Sequence, residues 1–232
     1  MRLSHLSIPS TTSYFRASAI QDRLAARLLQ SKSSQSVRPP PGPTVLTAEF
    51  LPVYTCGRRD VGRVSPSQEA HLRASGRASF AESPRGGQTT FHGPGQLVAY
   101  PILDLKAHGL TPRTYVRLLE TTVIKTVGRY GLRGFTTENP GVWTSEERKI
   151  AAVGVHLRRN VSSHGIALNV NTDLWWFDRI VACGLEGKET TNFEREGVTG
   201  KSVKEVGEVF VEELAHGLAG VDGVEMVQEN TS

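Results

Sequence analysis

Cys183 and Lys149 are the two residues of this 232-residue chain best suited to covalent chemistry. Cys183 sits in the apolar run Ile180-Val181-Ala182-Cys183-Gly184-Leu185. A lone cysteine there also reads as a small core hydrophobe. Against that, it follows Asn169-Val170-Asn171-Thr172-Asp173-Leu174, a strand end where side chains of several elements can converge. Thiolate is the nucleophile, and an ordinary cysteine is little ionised near neutral pH, so a base or cation must lie close. Lys149 is one candidate. On strand alternation it shares a face with Ala151, Val153, Val155 and Leu157, which would hold its ammonium partly out of water and make it usable as a base. The plain alternative is a lysine whose head snorkels to solvent. His92 and His164 are rival bases, since Cys–His pairs are a common solution.

The run Arg85-Gly86-Gly87-Gln88-Thr89-Thr90-Phe91-His92-Gly93-Pro94-Gly95-Gln96 holds five Gly or Pro in twelve positions, a poor helix and a poor strand interior. Glycine admits close backbone approach to a ligand, and Arg85, Gln88, Thr89, Thr90 and His92 bring polar groups to the same place. The run feeds Leu97-Val98-Ala99-Tyr100-Pro101-Ile102-Leu103, which reads as a buried strand. A polar, glycine-lined loop entering a central strand is a common setting for a ligand pocket.

The elements that must position these groups follow from periodicity. A helix is predicted from Ser13 to Gln30, with Ile20, Leu24 and Leu28 at four-residue spacing, and short strands over 45–48 and 53–55. Thr111 and Pro112 read as the start of the clearest helix, whose apolar face is Tyr115, Leu118, Leu119, Val123 and Val127. Strands over 149–157 and 165–171 are joined by a basic turn through Arg158, Arg159 and Asn160; the second alternates like a half-buried strand. Ser202 and Glu205 form a possible capping box before a last helix. Residues 31–44, rich in Ser and Pro, and the arginine-bearing 57–84 read as surface insertions in one domain spanning 1–232. The interspersed strands and helices give an α/β or α+β fold.

Composition narrows the class. At 25.3 kDa the chain can bury one sizeable core. No window approaches the ~20 apolar residues of a membrane helix, so no membrane partner is expected. A net charge of +4 favours an acidic partner but is too small to argue for nucleic acid. Two cysteines make no disulfide framework, which points to a reducing compartment. The first twenty residues lack Asp and Glu and carry Arg2 and Arg16, a composition that suits mitochondrial import.

The ordered pattern Arg-Gly-Gly-x-x-Thr-aromatic-His-x-x-Gly-Gln, the segment Lys149-Ile150-Ala151-Ala152-Val153-Gly154, and Asn-x-Asn followed by Cys183-Gly184 together resemble the lipoyl(octanoyl) transferase family in its fungal, mitochondrial form. The resemblance implies a mixed β-sheet flanked by helices, as in biotin and lipoate ligases. It implies transfer of octanoyl from acyl carrier protein to the lysine of lipoyl domains, those of the 2-oxoacid dehydrogenases and the glycine cleavage H protein. Cys183 would carry the acyl thioester and Lys149 would partner it. Arg85, Gly86, Gly87, Gln88, Thr89, Thr90, Phe91 and His92, with Ala152, Val153, Gly154, Gly165, Ile166 and Ala167, would line the substrate pocket, and His164 the acyl site. No metal or cofactor is implied, because the acyl group arrives on the carrier's phosphopantetheine. Cys56 stands where the family makes no demand for cysteine and is read as structural. Two alternatives remain at this stage: an ATP-dependent lipoate or biotin ligase of the same fold, and a non-catalytic basic binding protein. The paired arginines Arg58–Arg59 and Arg158–Arg159 are expected to dock acidic partners, solvated surface arginines being the plain alternative.

Overall fold

The computed structural model describes residues 1–32, 40–180 and 187–229. Strand β1 (Arg2–Ser7) opens the chain, and Ser13 then caps helix α1 (Tyr14–Ser31), its hydroxyl accepting from the Arg16 N–H at 3.2 Å. Strands β2 (Thr44–Ala48) and β3 (Val53–Cys56) follow, then helix α2 (Pro66–Leu72) and strands β4 (Ser79–Glu82), β5 (Thr90–His92) and β6 (Gln96–Ile102). Helix α3 spans Pro112–Gly128 and starts as its sequence requires. The Thr111 hydroxyl accepts from the Thr114 N–H at 3.2 Å, and the Thr114 hydroxyl accepts from the Thr111 N–H at 2.8 Å. Strands β7 (Val142–Trp143), β8 (Arg148–Arg158), β9 (Val161–Asn169) and β10 (Glu189–Thr190), helix α4 (Val203–Gly217) and strand β11 (Gly223–Val227) complete it. At the start of α4 only the Ser202 half of the capping box forms, because the Glu205 carboxylate instead pairs with Lys201 at 3.1 Å.

The main sheet runs β10-β8-β9-β6-β2-β1-β11 with β7 also paired to β8, and a second sheet runs β4-β3-β5. Helices α3 and α4 cover one face of the main sheet, where Leu97, Tyr115, Leu119, Val123, Ile166, Leu168, Phe210 and Leu214 form the larger core. Helix α1 covers the other through Tyr14, Ala17, Ile20 and Leu28, against Leu46, Tyr100 and Ala167. Each such aliphatic side chain contributes roughly 1.5–3 kcal/mol by leaving water. This is the mixed α/β architecture the sequence implied.

Two expectations change. Strand β9 is buried along its whole length rather than on one face, because α1 covers the side that alternation assigned to solvent. Residues 57–84 are more than an insertion. They supply α2 and β4, which pairs parallel to β3. Leu72, Ala74 and Ala78 pack with Tyr54, Phe91 and Trp176 in a third apolar cluster. Of the 31–44 stretch, Ser31 ends α1 and Thr44 begins β2.

Candidate active site

The glycine-rich loop folds back over the β8–β9 hairpin. Backbone bonds hold it there: Gly86 N–H to Val155 O at 3.0 Å, Arg58 N–H to Arg85 O at 3.0 Å and Arg59 N–H to Gly87 O at 3.1 Å. The cleft below encloses about 90 Å³ and is lined by Arg85 to Thr90, His92, Ala152, Val153, Gly154, His164, Gly165, Ile166 and Ala167. Lys149 borders this cleft and also two adjoining spaces, one of about 260 Å³ toward Arg59 and Asn139, the other of about 30 Å³ toward Gln96 and Asn169. It therefore stands where these three spaces meet.

Simple strand alternation fails at Lys149. The β7–β8 register slips between Val142, opposite Ala151, and Trp143, opposite Lys149. The neighbours Ile150 and Ala151 both enter the helix-side core as a result. Lys149 is carried into the cleft beside Ala152 and Gly154 instead of sharing the face of Ala151 and Val155. Only 6 % of it is exposed, so the snorkelling alternative fails. The ammonium donates to Pro140 O at 2.9 Å and lies 4.5 Å from the centre of the Trp143 ring, both contacts suited to a cation. Gly141 makes this possible. At φ 124° it leaves the usual L-residue region, and a Cβ there would meet Ala151 O at 2.5 Å and the lysine stem at 3.2 Å. The Gly141 N–H is fixed by the buried carboxylate of Glu120 on α3, at 3.0 Å.

Arg85 is an anchor rather than a free ligand for substrate. Its guanidinium donates to Thr55 O at 2.7 Å, Thr55 Oγ1 at 2.8 Å and Gly86 O at 3.0 Å, tying the loop to β3. The small residues of β8 and β9 also have a packing reason. A Cβ on Gly154 would meet Arg85 Cδ at 3.2 Å, and one on Gly165 would meet Ala99 O of β6 at 2.3 Å. These glycines let the loop and the neighbouring strand come close, so their smallness serves packing as well as lining the cleft. Phe91 does not reach the cleft. It is fully buried and stacks on Trp176 at 4.9 Å.

The two rival bases are both neutral. Burial, then the Arg85 charge, pulls His92 down to about 3, against a smaller opposing effect of its bond to Gln96. Burial, then Arg85, His156 and His92, pulls His164 down to about 3. An imidazole so reluctant to take a proton is a poor acceptor for a thiol proton of ordinary pKa, ~8.5. His92 serves a polar chain instead: its Nδ1 lies 2.7 Å from Gln96 Oε1, Gln96 Nε2 donates to Asn169 Oδ1 at 2.8 Å, and Asn169 Nδ2 donates to Thr191 O at 3.0 Å. His164 adopts φ 56°, its N–H donates to Gln21 Oε1 on α1 at 2.6 Å, and its ring meets Tyr100 at 5.2 Å.

These shifts carry a stability prediction. Both histidines titrate lower folded than unfolded, so the unfolded chain binds more protons between about pH 6.5 and about pH 3. Stability is complete above pH 6.5 and falls as the pH drops through that window. Urea unfolding at pH 7 and pH 5 should show a lower midpoint at pH 5, and His164→Gln should shrink the difference. A midpoint indifferent to pH would contradict neutral burial.

Cys183 lies outside the described residues, so its position relative to Lys149 is not part of this geometry. Cys56 is buried, and burial pushes its thiol up, as a structural cysteine requires. Of the arginine pairs, Arg58–Arg59 places Arg59 on the space adjoining the cleft, whereas Arg158–Arg159 forms the β8–β9 turn, nine residues along β8 from Lys149 or about 30 Å away. Sequence reasoning missed Gln21, Tyr100, Glu120, Pro140 and Gly141, which meet the site only through tertiary packing. It also missed Gln96 and Asn169 as a pair, though both lie in the quoted motifs.

The lipoyl protein ligase A/B catalytic-domain model matches residues 13–215. The chain belongs to that family. A Schizosaccharomyces pombe protein named a probable octanoyltransferase is 48 % identical over 203 residues, covering 87 % of this chain and 89 % of that one. The human mitochondrial octanoyl-acyl-carrier-protein:protein N-octanoyltransferase is 40 % identical over 197 residues, covering 83 % and 84 %. Within the family the chain therefore falls among the octanoyltransferases and is an acyltransferase. Among solved structures, lipoate-protein ligase A bound with ATP superposes with a TM-score of 0.70 at 15 % identity, covering 99 % of this chain and 89 % of that one. At that identity the likeness speaks for the fold.

Proposed function

We propose that this protein moves an octanoyl group from octanoyl-acyl carrier protein to a lysine of lipoyl domains through a thioester on Cys183, the first step of protein lipoylation. The observation that carries the reading is the convergence of the glycine-rich loop, the β8–β9 hairpin and the buried Lys149 on one cleft, in a chain of the octanoyltransferase family. The Lys149 ammonium favours the Cys183 thiolate, which attacks the thioester carbonyl. As the carrier's sulfur leaves, it takes the proton from Lys149. The neutral amine of the target lysine then attacks the acyl-enzyme, the amide bond forms, Cys183 departs as thiolate, and the proton released by the amine returns to Lys149. Each bond exchanged is of thioester energy or lower, so the cycle needs no ATP to drive it.

The acceptors in this reading are the lipoyl domains of 2-oxoacid dehydrogenases and the glycine cleavage H protein, and the compartment is the mitochondrion, which the human relative's name states for that protein. Any import signal must spare β1, since Leu3 and Leu6 are core residues.

The test is the mass of the intact protein after mixing with octanoyl-acyl carrier protein in the absence of ATP. A gain of one octanoyl group, lost again on adding a lipoyl domain, is the expected result. Acylation of an added lipoyl domain only with free octanoate and ATP, the enzyme itself gaining no mass, would identify a ligase, and no acylation of either protein under either condition a binding protein.

A further inference from the structure

A second cavity, of about 530 Å³, lies on the far side of the wall formed by Gln88 and Thr89, residues it shares with the catalytic cleft. It is several times larger than the cleft, and its charged lining is Arg63, Arg179 and Asp60, with His71 beside them. The one carboxylate among the described lining residues is already engaged: Asp60 Oδ2 accepts from the Thr89 N–H at 2.6 Å and from the Thr89 hydroxyl at 2.9 Å. Arg179 is held in place before any ligand arrives. Its Nε donates to His71 O at 3.1 Å, and its guanidinium lies 4.9 Å over the Trp175 ring, with Arg77 4.8 Å from the same ring. Asp178 is the neighbouring acid on that turn, and Glu69 on α2 is taken by Arg73 at 2.7 Å. A roomy cavity with two guanidiniums, one pre-oriented, and its carboxylate turned to the wall is built for a phosphate group.

We propose that this cavity receives the phosphodiester of the carrier's phosphopantetheine arm, with Arg63 and Arg179 as its anion-binding side chains, so that the arm passes Gln88 and Thr89 to present its thioester beside Lys149. The inference rests on the transferase reading. It assigns the donor's phosphate to a cavity whose described lining does not include Lys149. Pre-orientation by Trp175 and His71 lowers the ordering cost of gripping the anion.

The experiment compares initial rates with three octanoyl thioesters: the carrier-bound form, free 4′-phosphopantetheine and pantetheine, which lacks the phosphate. The wild-type KM for the phosphopantetheine thioester is expected about tenfold or more below that for the pantetheine thioester, the scale of one charge-assisted contact. The double variant Arg63→Gln, Arg179→Gln should raise KM about tenfold to a hundredfold for both phosphorylated donors and leave the pantetheine thioester unchanged. That unchanged rate also shows that the variant folds. Equal wild-type KM for the two small thioesters overturns the proposal, as does an equal loss with all three donors. A loss confined to the carrier-bound donor overturns it too, placing the arginines against the carrier's own surface. If wild type turns over none of the three, the transferase reading itself has failed and this proposal falls with it.

Discussion

Replacing Cys183 by serine should abolish octanoyl transfer to a lipoyl domain, by roughly 10³-fold or more, while Cys56→Ser keeps most of it. The two cysteines differ in what surrounds them. Cys183 precedes glycine behind the Asn169-Val170-Asn171 strand end, the segment whose resemblance assigns it the acyl group. Cys56 is inside β3, 1 % exposed, with burial raising its thiol. A buried, protonated thiol is a packing group, and a hydroxyl in its place alters stability more than rate. In the proposed mechanism serine at 183 would retain the shape of the nucleophile but not its acidity, and an ammonium that supports a thiolate cannot make an alkoxide. The measurement is single-turnover transfer, with the octanoylated intermediate followed by mass. Full transfer by the Cys183→Ser protein would sink the covalent mechanism, and loss of transfer in Cys56→Ser with intact folding would mean that the wrong cysteine had been chosen.

Lys149→Met should cost about 10²–10⁴-fold in transfer, the range attributed to a positioned general base. Methionine keeps the stem length and apolar bulk, so the contact with Gly141 survives while charge and base are lost. The contacts to Pro140 O and the Trp143 ring show that the site is built around a cation. If Lys149 supports the Cys183 thiolate as proposed, iodoacetamide should alkylate Cys183 more slowly near neutral pH in this variant, with Cys56 barely changed. Lys149→Arg should recover part of the alkylation rate but not the transfer, because arginine does not surrender a proton in proteins. The two readouts separate electrostatic support from proton transfer. Equal alkylation of Cys183 in wild type and Lys149→Met from pH 6 to pH 9 would remove Lys149 as the activating group. The strongly depressed His92 and His164 make unpromising replacements.

The chain's local chemistry is plain from its order of residues. Ser13, Thr111 and Ser202 mark three helix starts because an N-cap needs only one side chain and the amide three residues on. The stripe Tyr115, Leu119, Val123, Val127 becomes core because its spacing matches the helix repeat. The glycine-rich loop is legible as a site because its residue types conflict with ordinary strand or helix, the segment from Lys149 to Gly154 because it resembles the family's motif, and the two do meet in one cleft.

Tertiary structure decided which face each of these residues shows. Strand alternation puts Lys149 in the helix-side core, and only the register slip against β7, a matter of pairing with residues outside the motif, turns it into the cleft. Phe91 looks like a pocket residue by position and is a packing residue because Trp176, far along the chain, stacks on it. The histidines look like bases, and burial, for His164 against Gln21 of α1, with the Arg85 charge makes them neutral scaffolding. Residue type and spacing state what a group can do. Burial, register and the charges brought in from distant segments determine whether it does it, because desolvation and Coulomb energies depend on neighbours in space and not in sequence.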